Sequence, residues 1–313
     1  MGTSLITGGA GFIGSNMARF LLEKGQKVRI LDNFETGKRE NLTEITKNIE
    51  VIEGDIRNLD IVKKAVAGAD VVYHLAALGS VPRSMKDPAT THDVNVNGTF
   101  NVLMAARDAK VRRIVFASSS SVYGSSPVLP QHEELPLAPI SPYGATKAIG
   151  EIYFRSFYQT YGFQSVCLRY YNVFGPRQDP NSQYAAAIPL FVSSLMRNQS
   201  PRIFDDGEQS RGFTYIENVM QANWLAANAK ELHGEAMNIS TVNAVTVNTV
   251  VNTIRQLLGK ENIKPTYAPP REGDIKYSLA DVSRAKKLIG YEPLVSFEQG
   301  IKKAIGWYQE NLK

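Results

Sequence analysis

The 313-residue chain predicts an α/β protein: a doubly wound parallel sheet with a smaller, interleaved C-terminal lobe. Three observations carry this reading. Short β-rich runs alternate with helical patterns through the first half. A glycine-rich turn joins the first of those runs to the first helix. After Gly175-Pro176 strands become sparse, and turn residues cluster at Pro180-Asn181-Ser182, Asp205-Asp206-Gly207 and Pro269-Pro270.

Taken in order, residues 4–7, 28–31, 50–53, 71–75, 113–117 and 165–170 are rich in β-branched and aromatic residues and read as strands. Residues 14–24, 59–67 and 95–110 carry helical periodicity between them. A further helix holds Tyr143 and Lys147, with Ile149, Ile152, Tyr153 and Phe157 at near-helical spacing, so one of its faces is apolar. In the second half, helical patterns fall at 186–197, 217–229, 247–258, 282–289 and 297–311, with a strand or two expected to return to the sheet.

The composition is that of an ordinary soluble globular protein, 43% apolar and 21% charged. No apolar stretch approaches a membrane span, and residues 1–7 lead into a strand-like run with no signal-peptide pattern. The single cysteine, Cys167, cannot form an internal disulfide. It sits in the apolar run Ser165-Val166-Cys167-Leu168 and reads as a buried thiol. A cytoplasmic protein is the expectation. The formal charge of +5 comes without a dense basic run, so no nucleic-acid partner is expected. A mild positive bias suits an anionic small molecule. His74, His92, His132 and His233 are scattered without ligand-like spacing, and no metal site is expected.

The turn Gly8-Gly9-Ala10-Gly11-Phe12-Ile13-Gly14 lets backbone N–H groups and a helix N-terminus meet a pyrophosphate. Asp32, ending the second strand, is placed to accept ribose hydroxyl hydrogen bonds and to repel a 2′-phosphate, which favours NAD over NADP. Asp55-Ile56 follows the third strand, where an acid can meet the adenine amino group. His74-Leu75-Ala76-Ala77 ends the fourth with small residues that allow close backbone approach. His74 itself reads as a packed core residue.

Tyr143 and Lys147, in Ser141-Pro142-Tyr143-Gly144-Ala145-Thr146-Lys147, lie four apart and share a helix face. An ammonium beside a phenol lowers the phenol pKa, which predicts a general acid–base pair working at neutral pH. Without a nucleotide site nearby, the same spacing would read as a surface tyrosine and a solvated lysine.

Gly8…Gly11…Gly14, Asp55, His74–Ala77, Ser118–Gly124 and Tyr143…Lys147 together resemble the extended short-chain dehydrogenase/reductase family, over essentially the whole chain. Within it the chain is most similar to NAD-dependent UDP-N-acetylglucosamine and UDP-glucose 4-epimerases. Three segments support this: Ala77-Leu78-Gly79-Ser80-Val81-Pro82-Arg83-Ser84, Arg177-Gln178-Asp179-Pro180-Asn181 and Arg271-Glu272-Gly273-Asp274. The resemblance implies a Rossmann-type fold and a catalytic set of Ser119, Tyr143 and Lys147. It also implies NAD held by Gly8, Gly11, Phe12, Ile13, Gly14, Asp32, Asn33, Asp55, Ile56, Leu75, Ala76, Ala77, Asn95, Tyr143, Lys147 and Tyr170. UDP-sugar contacts would come from Ser80, Ser119, Ser120, Ser121, Tyr143, Asn172 and Gln178. Arg211 and Arg271 would bind the diphosphate, for which a guanidinium fork is suited. Ser278 stands where forms restricted to UDP-glucose and UDP-galactose carry a bulky tyrosine, which implies room for a 2-acetamido group.

The resemblance further implies a nucleotide domain of residues 1–174 with about 214–243 returning, and a substrate domain of 175–213 and 244–313. A homodimer through helices 95–110 and 143–161 is implied as well. Related 4,6-dehydratases carry Asp-Glu at Ser120 and Ser121, and related decarboxylases carry Glu at Ser121. Serine has no useful acidity near neutrality, which disfavours both reactions. The tetrad Ser118–Ser121 also resembles UDP-glucuronate 4-epimerases, the second reading. A non-catalytic nucleotide sensor on the same fold is the alternative of another class, and such proteins commonly lose the tyrosine–lysine pair that this chain keeps. One departure stands out: the family often has Asp after the arginine matching Arg211, and here Gly212 follows it.

Overall fold

A computed structural model describes residues 2–181, 186–270 and 276–312. The chain opens with β1 (Thr3–Thr7), α1 (Phe12–Glu23), β2 (Lys27–Asp32), β3 (Ile49–Glu53), α2 (Leu59–Val66) and β4 (Ala69–His74). It continues through α3 (Val81–Lys86), α4 (Pro88–His92), a π-helical turn (Asp93–Gly98), α5 (Thr99–Asp108), β5 (Arg113–Ser119), α6 (Pro142–Tyr161) and β6 (Ser165–Tyr170). Beyond these come β7 (Val173–Phe174), α7 (Ala187–Met196), β8 (Arg202–Phe204), β9 (Ser210–Arg211), β10 (Thr214–Tyr215) and α8 (Ile216–Asn228). The last elements are β11 (His233–Ile239), β12 (Val245–Thr246), α9 (Val247–Leu257), β13 (Thr266–Ala268), β14 (Tyr277–Ser278), α10 (Ser283–Ile289) and α11 (Phe297–Asn311).

Seven parallel strands form one sheet in the order β11-β6-β5-β4-β1-β2-β3. Strand order reverses between β1 and β4, which opens a crevice at their carboxyl ends, where this architecture binds ligands. Apolar side chains from the two faces fill separate cores: Ile6, Met17, Ile30 and Val166 on one, Leu5, Leu31, Val72 and Phe116 on the other. The sheet is therefore covered on both sides, as the near-continuous apolar strands require. Cys167 is fully buried in the second core.

The expected elements are present, with boundaries moved by tertiary contacts. β5 extends past Ala117 to Ser119 because β6 registers against Ser118 and Ser119 as well. α6 begins at a defined signal: Ser141 accepts the Gly144 N–H at 3.1 Å, Pro142 occupies the first turn, and Gly162 ends the helix with φ 65°. Its buried face differs from the apolar face legible in sequence. Ile152 is 60% exposed and Tyr153 37%, whereas Lys147, Glu151, Phe154 and Phe157 point inward. Two charged residues occupy inward positions because each finds a polar partner there, which apolar periodicity cannot register.

Candidate functional site

The turn after β1 is shaped by glycine where it must be. Gly8 adopts φ +70°, and a Cβ there would lie 2.7 Å from Ala76 Cα. A Cβ on Gly14 would lie 2.2 Å from the Gly8 carbonyl oxygen, so α1 starts in contact with the turn only because residue 14 has no side chain. The turn, the ends of β2 and β3, and the loop after β4 enclose a cavity of about 320 Å³. Gly8, Gly11, Phe12, Ile13, Gly14, Asp32, Asn33, Asp55, Ile56, Leu75, Ala76 and Ala77 all line it. Glu35, Thr36 and Gly37 line it too. They escape sequence reading, although Gly37 follows Asp32 by five residues in a stretch without helical or strand periodicity.

Asp32 is buried and accepts the N–H groups of Ala10 and Phe34, each at 2.8 Å. Burial pushes its carboxyl up from the ordinary value, and the two N–H bonds pull it back. A carboxylate offers about four acceptor positions, so two remain for ribose hydroxyls. Asp55 is different. It accepts the Arg57 N–H at 2.8 Å, Arg57 Nε at 3.0 Å, Arg57 Nη2 at 2.8 Å and Asn33 Nδ2 at 2.8 Å. Hydrogen bonding to the Arg57 guanidinium holds its carboxyl down at about 2. An adenine amino group would have to displace one of these donors, so the acid anticipated for the adenine is already committed to Arg57.

His74 is buried with Nδ1 2.7 Å from Thr7 Oγ1 and Nε2 2.9 Å from Thr99 Oγ1. Burial lowers its pKa to about 3, so it is a neutral packing residue. Two residues assigned to the cofactor sit elsewhere. Asn95 accepts the Leu78 N–H at 2.8 Å and donates to the Leu78 carbonyl (3.3 Å) and Thr146 Oγ1 (3.1 Å), so its amide braces the cleft loop against α6. Tyr170 turns its hydroxyl to Asn223, at 3.0 Å from Oδ1 and 2.8 Å from Nδ2, inside the core.

One strand over from the cleft, β5 and α6 bring Ser119, Tyr143 and Lys147 together. The Tyr143 hydroxyl faces Ser119. Lys147 donates to the Ala117 carbonyl at 2.7 Å and stands 4.8 Å from the Phe116 ring centroid and 5.9 Å from that of Tyr143. The expected fall in the phenol pKa is corrected here. Burial raises the Tyr143 pKa, only partly offset by Ser119, and the same burial lowers Lys147 to about 8. Desolvation is the larger effect on both groups. Ser119 Oγ also accepts the Ser121 N–H at 3.2 Å and lies 3.0 Å from Ser121 Oγ.

A second cavity, of about 210 Å³, lies under β7 and α7. Asn172, Gln178 and Arg211 line it together with Phe204, Gln209 and Arg202. Asn172 holds φ +37°, two residues past Tyr170, which registers opposite Ser119 on β5. Arg211 rests on the Ser210 and Lys276 carbonyls at 3.1 and 2.9 Å. At Gly212, the departure beside it, a Cβ would lie 2.6 Å from Ser240 Oγ, a side-chain tip that would have to turn aside. Two arginines in one concavity suit phosphate oxygens. Arg202 was not singled out from sequence, where Arg-Ile-Phe is a three-residue run between turns.

The remaining expected contacts are dispersed. Ser80 caps α3 by accepting the Arg83 N–H at 3.2 Å. Ser120 and Ser121 start a short 3-10 turn, and both are half-buried. Ser278 is buried in β14, opposite Arg211 in the β9–β14 ladder, while Tyr277 is 48% exposed. Among the described residues, neither cavity wall includes Ser278. Arg271 lies outside the described residues.

A phenol–hydroxyl pair with an anchored lysine, next to a dinucleotide-shaped crevice, is the arrangement of an extended short-chain dehydrogenase/reductase. Comparison with known proteins agrees. The family model described as GDP-mannose 4,6 dehydratase matches residues 5–304, and the chain belongs to that family. The UDP-glucose 4-epimerase of Mycolicibacterium smegmatis is 35% identical over 310 residues, covering 98% of each chain. Among solved structures, the UDP-N-acetylglucosamine 4-epimerase from Methanobrevibacter ruminantium, in complex with UDP-N-acetylmuramic acid, superposes with a TM-score of 0.94. It is 38% identical and covers 99% of each chain. The UDP-glucose 4-epimerase of Thermus thermophilus, in complex with NAD, has a TM-score of 0.89 and 33% identity, covering 99% of this chain and 100% of its own.

Proposed function

We propose that the protein is an NAD-dependent 4-epimerase of UDP-hexoses, N-acetylated ones included. The observation that carries this is the meeting of Ser119 and Tyr143, with Lys147 anchored beside them on Ala117. Ser120 and Ser121 provide no acid to expel a hydroxyl, so the site is equipped for proton transfer at one carbinol and little else.

The residues present fit NAD. The Gly8–Gly14 turn leaves a backbone cradle that a Cβ would fill, and Asp32 keeps acceptor capacity for ribose hydroxyls. Gly11–Gly14 and the α1 N-terminus would hold the pyrophosphate, with Ile56, Ala76 and Ala77 as walls. NAD, when bound, supplies a hydride acceptor and then donor for the sugar C4, and its oxidised ring adds positive charge. Tyr143 takes the proton of the 4-hydroxyl and later returns it, while Ser119 holds that oxygen beside the phenol. Because burial keeps Tyr143 protonated, proton uptake requires positive charge in the cleft, and Lys147 is this chain's contribution. Between the two transfers the 4-keto sugar turns over in the pocket. Arg202 and Arg211, with Arg271 by resemblance, retain the diphosphate through that rotation.

In this reading residues 1–174 and about 214–243 form the nucleotide domain, and 175–213 with 244–313 form the substrate domain. The working form is a cytoplasmic homodimer. No described helix is long and apolar enough to cross a membrane. The test is incubation with a panel of UDP-sugars, following C4 configuration by NMR. UDP-glucose and UDP-N-acetylglucosamine should both equilibrate with their C4 epimers. UDP-glucuronate belongs in the panel because the serine tetrad also resembles its epimerases. By the resemblance, Ser278→Tyr should lower turnover of the N-acetylated sugar more than that of UDP-glucose. Ser278 is buried in β14 and, among the described residues, is in neither cavity wall, so an equal loss for both sugars would remove it from the sugar pocket. Rejection of every UDP-sugar would end this reading.

A further inference from the structure

Three consecutive residues at the end of β5 meet three residues spaced one turn apart on α6. Ala117 accepts from Lys147 at 2.7 Å, Ser118 Oγ donates to Glu151 Oε1 at 2.5 Å, and Ser119 faces Tyr143. Positions 143, 147 and 151 share one helix face. The Ser118–Glu151 link belongs to no established part of the site.

Glu151 is also held from β6. Arg169 Nε donates to Oε1 at 2.9 Å and Nη2 to Oε2 at 2.6 Å, and the two side chains are 6% and 4% exposed. Arg169 continues to Tyr123 at 2.6 Å, and Tyr123 to Asn238 at 2.7 Å. Asn238 then donates to the carbonyls of Gln131 (2.9 Å) and Asp281 (3.0 Å). An ion pair this deep is weak ground for stability, because desolvation offsets most of its attraction. Its place behind the reacting residues gives it another role.

We infer that Glu151, clamped by Arg169, is a positioning residue: it fixes the β5 end through Ser118 and sets a carboxylate one turn from Lys147 on the same face of α6. The inference rests on the acid–base reading above. The groups facing this centre are Lys147 and Tyr143 on α6, His74 on β4, Ser118 and Ser119 on β5, and Cys167 and Arg169 on β6. Tyr123, Glu133 on the neighbouring loop and Glu235 on β11 complete the set. His74 is neutral, and Cys167 stays a thiol because burial pushes it far up. Glu151 is then the anion that supports the lysine. Burial holds Lys147 near 8, and the pull of Glu151 works against any further fall.

Two variants separate this role from a structural one. Ser118→Ala keeps the ion pair and loosens only the strand end. The pair Glu151→Met with Arg169→Met removes both charges at similar volume, so no charge is left buried alone. The Lys147 Nζ titration is read by ¹⁵N-lysine NMR, alongside the pH dependence of kcat in the UDP-sugar assay. For the double variant, NAD(H) affinity should stay within a few-fold and kcat should fall about tenfold or more. The Lys147 midpoint and the alkaline limb of kcat should both move down, by what the Glu151 anion contributes beyond the opposing Arg169 cation. Ser118→Ala should lower kcat with KM kept and the alkaline limb in place. A double variant with wild-type kcat and an unmoved Lys147 midpoint overturns the inference. If the wild type turns over no UDP-sugar, the reaction reading fails instead, and the Lys147 titration still decides whether Glu151 supports the ammonium.

Discussion

Burial raises the Tyr143 phenol and lowers Lys147 to about 8, so each residue of the pair is pushed toward its uncharged form. An epimerase needs both protonation states of that phenol within one cycle, because it removes a proton and then returns it. Tyr143→Phe keeps the ring and its packing and removes only the exchangeable proton. Turnover should fall by about 10²–10⁴-fold, with UDP-sugar affinity by calorimetry within a few-fold of wild type. Turnover near wild type would show that another group moves the proton. That Tyr143 and Lys147 share a face is legible in their spacing, and so is the nearness of Ser119 through the resemblance. The direction of the Tyr143 shift is not, because it depends on how much of the rest of the chain packs over the phenol. Asp55 teaches the same point, since nothing in the order of residues says that Arg57 and Asn33 occupy all its acceptor positions.

Between β1 and α1 the site depends on the absence of side chains. A Cβ on Gly14 would overlap the Gly8 carbonyl, whereas one on Gly11 would stand 3.3 Å from the same oxygen. Gly14→Ala must therefore push α1 away from the turn, at about 1–3 kcal/mol. Its NAD(H) affinity in direct titration should drop about tenfold or more. Gly11→Ala, with only a tight contact to relieve, should change affinity much less. Equal behaviour of the two variants would mean that the turn tolerates displacement. The glycine spacing makes this element legible from sequence, as the β-branched and aromatic runs do for the sheet strands. α6 shows where that reading stops. Ile149, Ile152 and Tyr153 mark an apolar face, yet the inward face carries Lys147 and Glu151 because Ala117, Ser118 and Arg169 lie opposite. Periodicity sees hydrophobicity, and these positions are settled by polar partners on other strands. The two-residue strands β9, β12 and β14 escape for a related reason: each is too short to show a period, and pairing with its neighbours defines it.

The outward face of α6 then needs its own explanation. Ile152 is 60% exposed, Tyr161 55%, and Met85 on α3, a helix packed against α6, 57%. Tyr153 lies 5.1 Å from Phe100 on α5, and Arg107 lies 4.6 Å from the Tyr161 ring centroid, so the aromatic surface runs from one helix to the next. Monomers rarely leave such a patch open. Helices related by a two-fold axis would cover it with copies of themselves, since the same surface serves both partners. The chain is accordingly expected to sediment as a dimer. A stable interface buries about 1,600 Å² in total, and charges placed at its centre are poorly tolerated. Tyr153→Glu combined with Tyr161→Glu, on one side of α6, should give a monomer by analytical ultracentrifugation. NAD(H) affinity should stay close to wild type, because neither side chain lines the dinucleotide cleft. A double variant that stays dimeric would move the interface to another face of the molecule. A wild-type protein that sediments as a monomer would leave this patch without a partner copy.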